Sequence, residues 1–231
     1  MIEFKNVTLR YHYEQYNLFE NLSFTLTEGV NTILCDIQSG KSSLCKMILG
    51  EVCPNEGQVI VNGVNLFANG KPPIINALYL PANPTFFENK TVRYNLEYPL
   101  RVRKQLSQNA DKVVALAEEY GIETLLLTKV NKLDARQKKL LALARGRVIS
   151  RDIVLLDGFL DDTENTGVLS RESILGAFQC KTVVILTAKP SLAVGHTVVI
   201  DDKKCVYSGE SDGAQEVIKS LMWLATRNLN L

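Results

Sequence analysis

The residues best suited to chemistry stand in the run Cys35–Ser43, "CDIQSGKSS", and at Asp157, which closes the apolar stretch of "DIVLLDG". The short apolar segment Thr32–Cys35 leads into a polar loop, then Gly40-Lys41-Ser42, then the helical pattern of "SGKSSLCKMILGE". That order suits an anion. Backbone N–H groups at a helix N-terminus face a phosphate, a lysine reaches its outer oxygens, and a hydroxyl holds magnesium. The usual spacing is G-x-x-x-x-G-K-[ST], and Cys35 takes the place of its first glycine. On its own the run also reads as a solvated loop before a helix. Asp157 tips the balance, because the end of a buried strand is where a phosphate-loop protein places its magnesium-organising acid. The candidate ligand-binding residues are therefore Gln38, Ser39, Gly40, Lys41, Ser42, Ser43 and Asp157, with Ser42 and Asp157 as the candidate metal ligands.

Strands and helices must bring these residues together across more than a hundred positions. Ile2, Phe4, Val7 and Leu9 predict a strand with a register change at Asn6, and Leu22, Phe24 and Leu26 predict a second. "EGQVIVNGVNLF" predicts another, between glycine turns at Gly57 and Gly63. The helix after Gly40 places Leu44, Met47 and Ile48 on one side and ends at Gly50, a plausible C-cap. From about Asn83 to Gly146 helical spacing takes over, first at Val113, Val114, Leu116 and Ala117, then at Leu140, Leu141 and Leu143. "RDIVLLDGF" and Thr182–Leu186 are continuous apolar runs that suit strands buried on both faces. A helix near Val168–Phe178, a hairpin in "HTVVIDDKKCVYSGE" and a terminal amphipathic helix follow. The expected organisation is one α/β domain. Residues 1–82 plus 147–231 form a core with an antiparallel β part, and residues 83–146 form a helical subdomain.

Composition narrows the classes of function. With 46% apolar residues, 22% charged residues and a net charge of +1, no global field draws in nucleic acid or an anionic bilayer. The first residues do not read as a signal peptide, and "TVVILTAKPSLAVGHTVVI" is broken by Lys189, Pro190 and Gly195 into two strands rather than a membrane span. Five cysteines without a CxxC pair and two distant histidines give no metal spacing, so buried, reduced thiols are expected. The basic run "RQKKLLALARGRVISR" reads as the solvated face and end of a helix. It offers no aromatic platform for nucleic acid, and none is expected as a partner.

These elements, in this order, resemble the ATP-binding-cassette (ABC) ATPases of the P-loop NTPase superfamily along nearly the whole chain. The phosphate-loop segment carries Cys35 and Gln38 where that family has glycines, and Tyr11 (or Tyr13) stands where an aromatic residue stacks on adenine. "ALYLPANPTFFENKTVRYNL" is similar to the glutamine-loop segment, with Ala82 in place of the glutamine. "KLDARQKKLLALARG" resembles the family signature and its helix, with Asp134, Ala135 and Arg136 replacing Ser-Gly-Gly. "IVLLDGFLDDTE" has Gly158 where the catalytic glutamate belongs and Glu164 at the usual loop aspartate, and "VVILTAKP" has Ala188 at the switch histidine.

The resemblance implies a nucleotide-binding domain of a membrane transporter, with ATP and Mg2+ as cofactors. A transmembrane domain or permease subunit and a second nucleotide-binding domain, in a homo- or heterodimer, are the implied partners. The implied location is peripheral, on the cytoplasmic side of a membrane, or cytoplasmic. It also implies impaired hydrolysis, since Gly158, Ala82 and Ala188 offer neither a water-positioning group nor a phosphate sensor. No residue is expected to be catalytic. The alternatives are an active ATPase whose base is Asp161, Asp162 or Glu164, acids that otherwise read as a solvated turn, and a scaffold without nucleotide.

Overall fold

The computed structural model describes residues 1–36, 39–161, 171–178 and 180–228. Among these described residues ten strands form two sheets. The first, in the order β2-β1-β4-β5, is antiparallel and comprises β1 (Ile2–Leu9), β2 (Phe19–Leu26), β4 (Glu56–Val61) and β5 (Val64–Asn65). Asn6 has φ 51, and the pairing of β1 shifts register between Phe4 and Val7. A shift of one residue flips every later side chain to the other face. That is how Ile2 and Phe4 share the core with Val7 and Leu9 despite their odd spacing.

The second sheet has the order β10-β9-β3-β8-β7-β6. Its strands are β3 (Gly29–Cys35), β6 (Ala77–Pro81), β7 (Ile153–Asp157), β8 (Thr182–Thr187), β9 (His196–Asp201) and β10 (Lys204–Glu210). All neighbours are parallel except β10, which pairs antiparallel with β9 as the expected hairpin. The apolar run of Ile153–Asp157 divides by parity, as a period of two requires. Ile153 and Leu155 join the core around α1 (Lys41–Ile48), while Val154 and Leu156 join the core under the helical segment. Val184 and Leu186 on β8 make the same split from Val183 and Ile185. The middle of this sheet is thus covered on both faces.

Between β6 and β7 run α2 (Val92–Val102), α3 (Leu106–Glu119) and α4 (Ala135–Arg147). After β7 come α5 (Arg171–Ala177) and the terminal α6 (Ser211–Asn228). Asp134 caps α4: its carboxylate accepts from Gln137 N at 2.7 Å, and the Gln137 side chain accepts from Asp134 N at 3.0 Å. This reciprocal pair satisfies two donors that a helix start leaves open. Further along, α4 is buried nearly all round, from Leu140 to Ala144. A Cβ on Gly146 would meet the Leu78 side chain at 2.7 Å, so glycine lets α4 lie close against β6. Two readings need correction. The run Lys138–Arg151 is not simply a solvated face, since Lys139 is buried. The thiols are not uniformly buried either, since Cys53 is exposed.

Candidate functional site

The parallel strands deliver their C-terminal ends to one edge. Pro81 pairs with Asp157, Asp157 with Leu186, Thr187 with Leu34, and Cys35 with Ile200. The loops after β6, β7, β8 and β3 leave from that edge, where open α/β sheets hold their ligands.

At this edge α1 meets Asp157. The Ser42 hydroxyl donates to Asp157 Oδ2 at 2.6 Å, and the Tyr79 hydroxyl, from β6, donates to the same oxygen at 2.8 Å. Asp157 is only 7% exposed. A buried carboxylate is tolerable when donors satisfy it, and charge-assisted bonds of this kind are the strong ones. Burial, reinforced by the bond to Asp157, pushes the Tyr79 phenol above its ordinary range, so it stays a donor. Sequence reasoning missed Tyr79. Ala77, Tyr79 and Pro81 alternate toward one face of β6, but the pairing of Pro81 with Asp157 that brings Tyr79 to the acid comes from the sheet register.

The loop before α1 is held from within. Gly40 has φ 91, and a Cβ there would meet Leu18 and Phe19 side-chain atoms at 2.8 Å, so both conformation and space demand glycine. Lys41 Nζ donates to the carbonyls of Cys35 at 3.2 Å and Asp36 at 2.6 Å, and the Ser39 hydroxyl donates to Asp36 O at 2.5 Å. The ammonium therefore lies over the loop's own backbone, where an entering phosphate would compete for it. The Ser43 hydroxyl is not directed at a ligand: it is buried and shares a 2.9 Å bond with the Tyr11 hydroxyl. That bond ties Tyr11 to α1, while Tyr13 is 96% exposed. Gln38 lies outside the described residues, as do Asp162 and Glu164. Cys35, at the first glycine's position, is buried, and burial raises its thiol despite the opposing influence of Ser39 and Lys41.

Two positions at which the resemblance expects polar side chains, 158 and 82, lie close together. A Cβ on Gly158 would lie 3.4 Å from Ala82 Cβ and 3.5 Å from Asp161 Oδ2, and Ala188 directly follows Thr187 at the end of β8. Asp161 stands in a turn but is only partly exposed, and its carboxylate has protein partners. The Thr187 hydroxyl, fully buried, donates to its Oδ1 at 2.5 Å, and Lys189 Nζ donates to its backbone carbonyl. In the signature segment, the Asp134 carboxylate is taken up by the helix cap. Lys139 on the same helix donates to the Phe159 carbonyl at 3.1 Å, linking α4 to the loop after β7.

The sequence profile of the ABC transporter family matches residues 19–160, more than half of the chain. This chain belongs to the ABC transporter family. The molybdate/tungstate import ATP-binding protein WtpC of Methanocaldococcus jannaschii is 32% identical over 181 residues, 78% of this chain and 60% of that protein. The WtpC of Pyrococcus abyssi is 32% identical over 147 residues, 63% of this chain and 42% of the relative, so the chain spans only part of these relatives' length. The intermembrane phospholipid transport system ATP-binding protein MlaF of Escherichia coli is 25% identical over 211 residues, 86% of this chain and 78% of that protein. A solved structure of an inward-facing, metal-chelate type ABC transporter matches with a TM-score of 0.72 at 19% identity. It covers 92% of this chain and 84% of the matched chain, and at that identity it establishes the fold.

Membership in the ABC family implies ATP binding, typically with Mg2+. The donor set fits: Ser42 and Asp157 both present oxygen, which a hard divalent cation takes, and they already meet. Among the described residues no helix is long and apolar enough to cross a membrane.

Proposed function

We propose that this chain is the nucleotide-binding domain of a membrane transporter that binds ATP with magnesium, and in which hydrolysis is impaired. The observation that carries the reading is the Ser42–Asp157 contact at 2.6 Å, which joins the phosphate-loop helix to the acid at the end of β7 across 115 residues. Lys41 supplies charge to the outer phosphates, the backbone at the start of α1 supplies N–H donors, and Tyr11 offers an aromatic face for the base. Ser42 and Asp157, the latter steadied by Tyr79, would hold the magnesium ion, which when bound would offset phosphate charge.

The impairment follows from what the same edge lacks. Gly158 cannot position water, Ala188 cannot sense the outer phosphate, and Ala82 cannot reach either. Removing one such preorganised contact costs about two to three powers of ten in rate elsewhere, and here three positions lack it together. The signature half is altered too, because Asp134 brings negative charge where a facing domain's phosphate would approach. A sandwich dimer of this chain with itself would have both of its sites weakened.

A permease subunit or transmembrane domain and a second nucleotide-binding domain are the proposed partners, with the chain peripheral on the cytoplasmic side of a membrane. Residues 83–146 are proposed as the helical subdomain and the remainder as the core. Nucleic acid has no place in this reading. The test is ATP binding with and without Mg2+ in wild type, Ser42→Ala and Asp157→Asn. The reading expects a Mg2+-dependent gain in affinity that both variants lose. Affinity indifferent to Mg2+ and to both substitutions would contradict it.

A further inference from the structure

Three residues beyond Gly158, the carboxylate of Asp161 comes close to it. Gly158 has φ 63, and the N–H of Asp161 bonds to its carbonyl at 3.2 Å, so the chain after β7 turns back on itself at once. The Gly158 N–H bonds to Leu186 O at 2.9 Å, which keeps the start of this turn in line with β8. The turn carries Asp161 Oδ2 to 3.5 Å from where a side chain on residue 158 would begin. By standard bond lengths and staggered rotamers, the carboxylate oxygens of a glutamate lie about 3–4 Å from its own Cβ. The two distances agree.

The group is held there rather than left to wander. Thr187 donates to Oδ1 at 2.5 Å, and its own oxygen accepts from the N–H of Lys189 at 2.9 Å, which fixes the hydroxyl's direction. Lys189 Nζ bonds the Asp161 backbone carbonyl from the other side. Oδ1 is engaged by Thr187, and Oδ2 is the oxygen nearer to Gly158's Cβ position.

We propose that Asp161 is the general base for such ATP hydrolysis as this chain performs, with Thr187 and Lys189 as its positioning residues. The proposal rests on ATP binding at Lys41. A water molecule beside Oδ2 attacks the γ-phosphorus, and the bond from that phosphorus to its bridging oxygen breaks. ADP leaves with the electron pair, and the water's proton passes to Oδ2 and then to the released phosphate. With Ala82 and Ala188 still absent, the base acts without the usual phosphate sensor, so turnover is slow.

The experiment measures phosphate release and equilibrium ATP binding, with Mg2+, on the 231-residue chain in four forms: wild type, Lys41→Ala, Asp161→Asn and Thr187→Val. General-base groups contribute about 10²–10⁴-fold. Asp161→Asn is expected to lower phosphate release about a hundredfold while ATP affinity stays within twofold of wild type. Thr187→Val, which leaves the carboxylate in place but loose, is expected to lower kcat without changing the ATP affinity. Equal release by wild type and Asp161→Asn overturns the proposal. So does the absence of Lys41-dependent release in a wild type that binds ATP, an outcome that leaves the nucleotide-binding reading intact. Failure of wild type to bind ATP overturns both.

Discussion

Replacing Tyr79 by phenylalanine deletes one hydroxyl and almost no volume, so its effect isolates the bond to Asp157 Oδ2 at 2.8 Å. Hydrogen bonds to charged groups contribute about 1.5–3 kcal/mol. Asp157 is 7% exposed but keeps the Ser42 bond in the variant, which places the expected loss near the lower end, about 1.5 kcal/mol. For a chain of this length each kcal/mol shifts Tm by about 2–4 °C, so the melting temperature should fall by about 3–6 °C. Urea denaturation at pH 7 gives the free energy directly, and an unchanged m-value would show that the denatured state is not responsible. Ser42 and Tyr79 donate to the same oxygen, so their losses should not add. Tyr79→Phe with Ser42→Ala should cost more than the sum of the single variants, because the second deletion leaves the buried carboxylate without either hydroxyl. A Tyr79→Phe protein as stable as wild type would refute the view that Asp157 depends on Tyr79.

Three further outcomes follow from particular contacts. Asp134→Ala removes the reciprocal cap of α4 and should cost about 1 kcal/mol, read by urea denaturation, while Asp134→Asn should retain most of it. Arg145→Ala removes the bond to Thr85 O at 2.9 Å and a guanidinium 4.5 Å from the Phe86 ring. The loss should be about 1–2 kcal/mol, with faster hydrogen exchange in residues 83–87. Burial raises the Cys35 and Cys45 thiols, so both stay protonated at neutral pH, whereas Cys53 is exposed. A thiol reagent at pH 7.5 should modify Cys53 first and reach Cys35 and Cys45 only on unfolding, as mass spectrometry of digests would show.

The parts of the fold legible in the sequence were those set by period and by punctuation. The register change at Asn6, the continuous apolar strand Ile153–Asp157 buried on both faces and the cap at Asp134 each follow from a local rule, and the structure has each of them. The C-cap of α1 is Leu49, and Gly50, the expected cap, stands one residue beyond it at φ 75. The phosphate loop and Asp157 were legible for the same reason: strand, loop and helix leave their marks in a few residues. What was not legible depends on neighbours in the sheet. Tyr79 meets Asp157 because β6 lies beside β7 in a register that no local pattern announces. Asp161 reads locally as a solvated turn, and the Thr187 hydroxyl that bonds its carboxylate comes from β8, which no local pattern places there. Lys139 looked like one of several surface cations, yet its stem lies among buried residues and its ammonium finds the Phe159 carbonyl. β3 begins at Gly29, three residues before the expected Thr32, pairing from there with β8, and the buried Asn31 within it donates its amide to the carbonyls of Thr27 and Gly29. A polar residue thus continued a strand that hydropathy alone would have started later.

The most direct test of the central claim is equilibrium binding of ATP with magnesium to wild type and to Lys41→Ala, with phosphate release followed on the same samples. The account predicts saturable binding that the substitution abolishes or weakens at least about tenfold, and phosphate release that is slow in wild type. No saturable binding at millimolar ATP, or binding indifferent to Lys41, would contradict it.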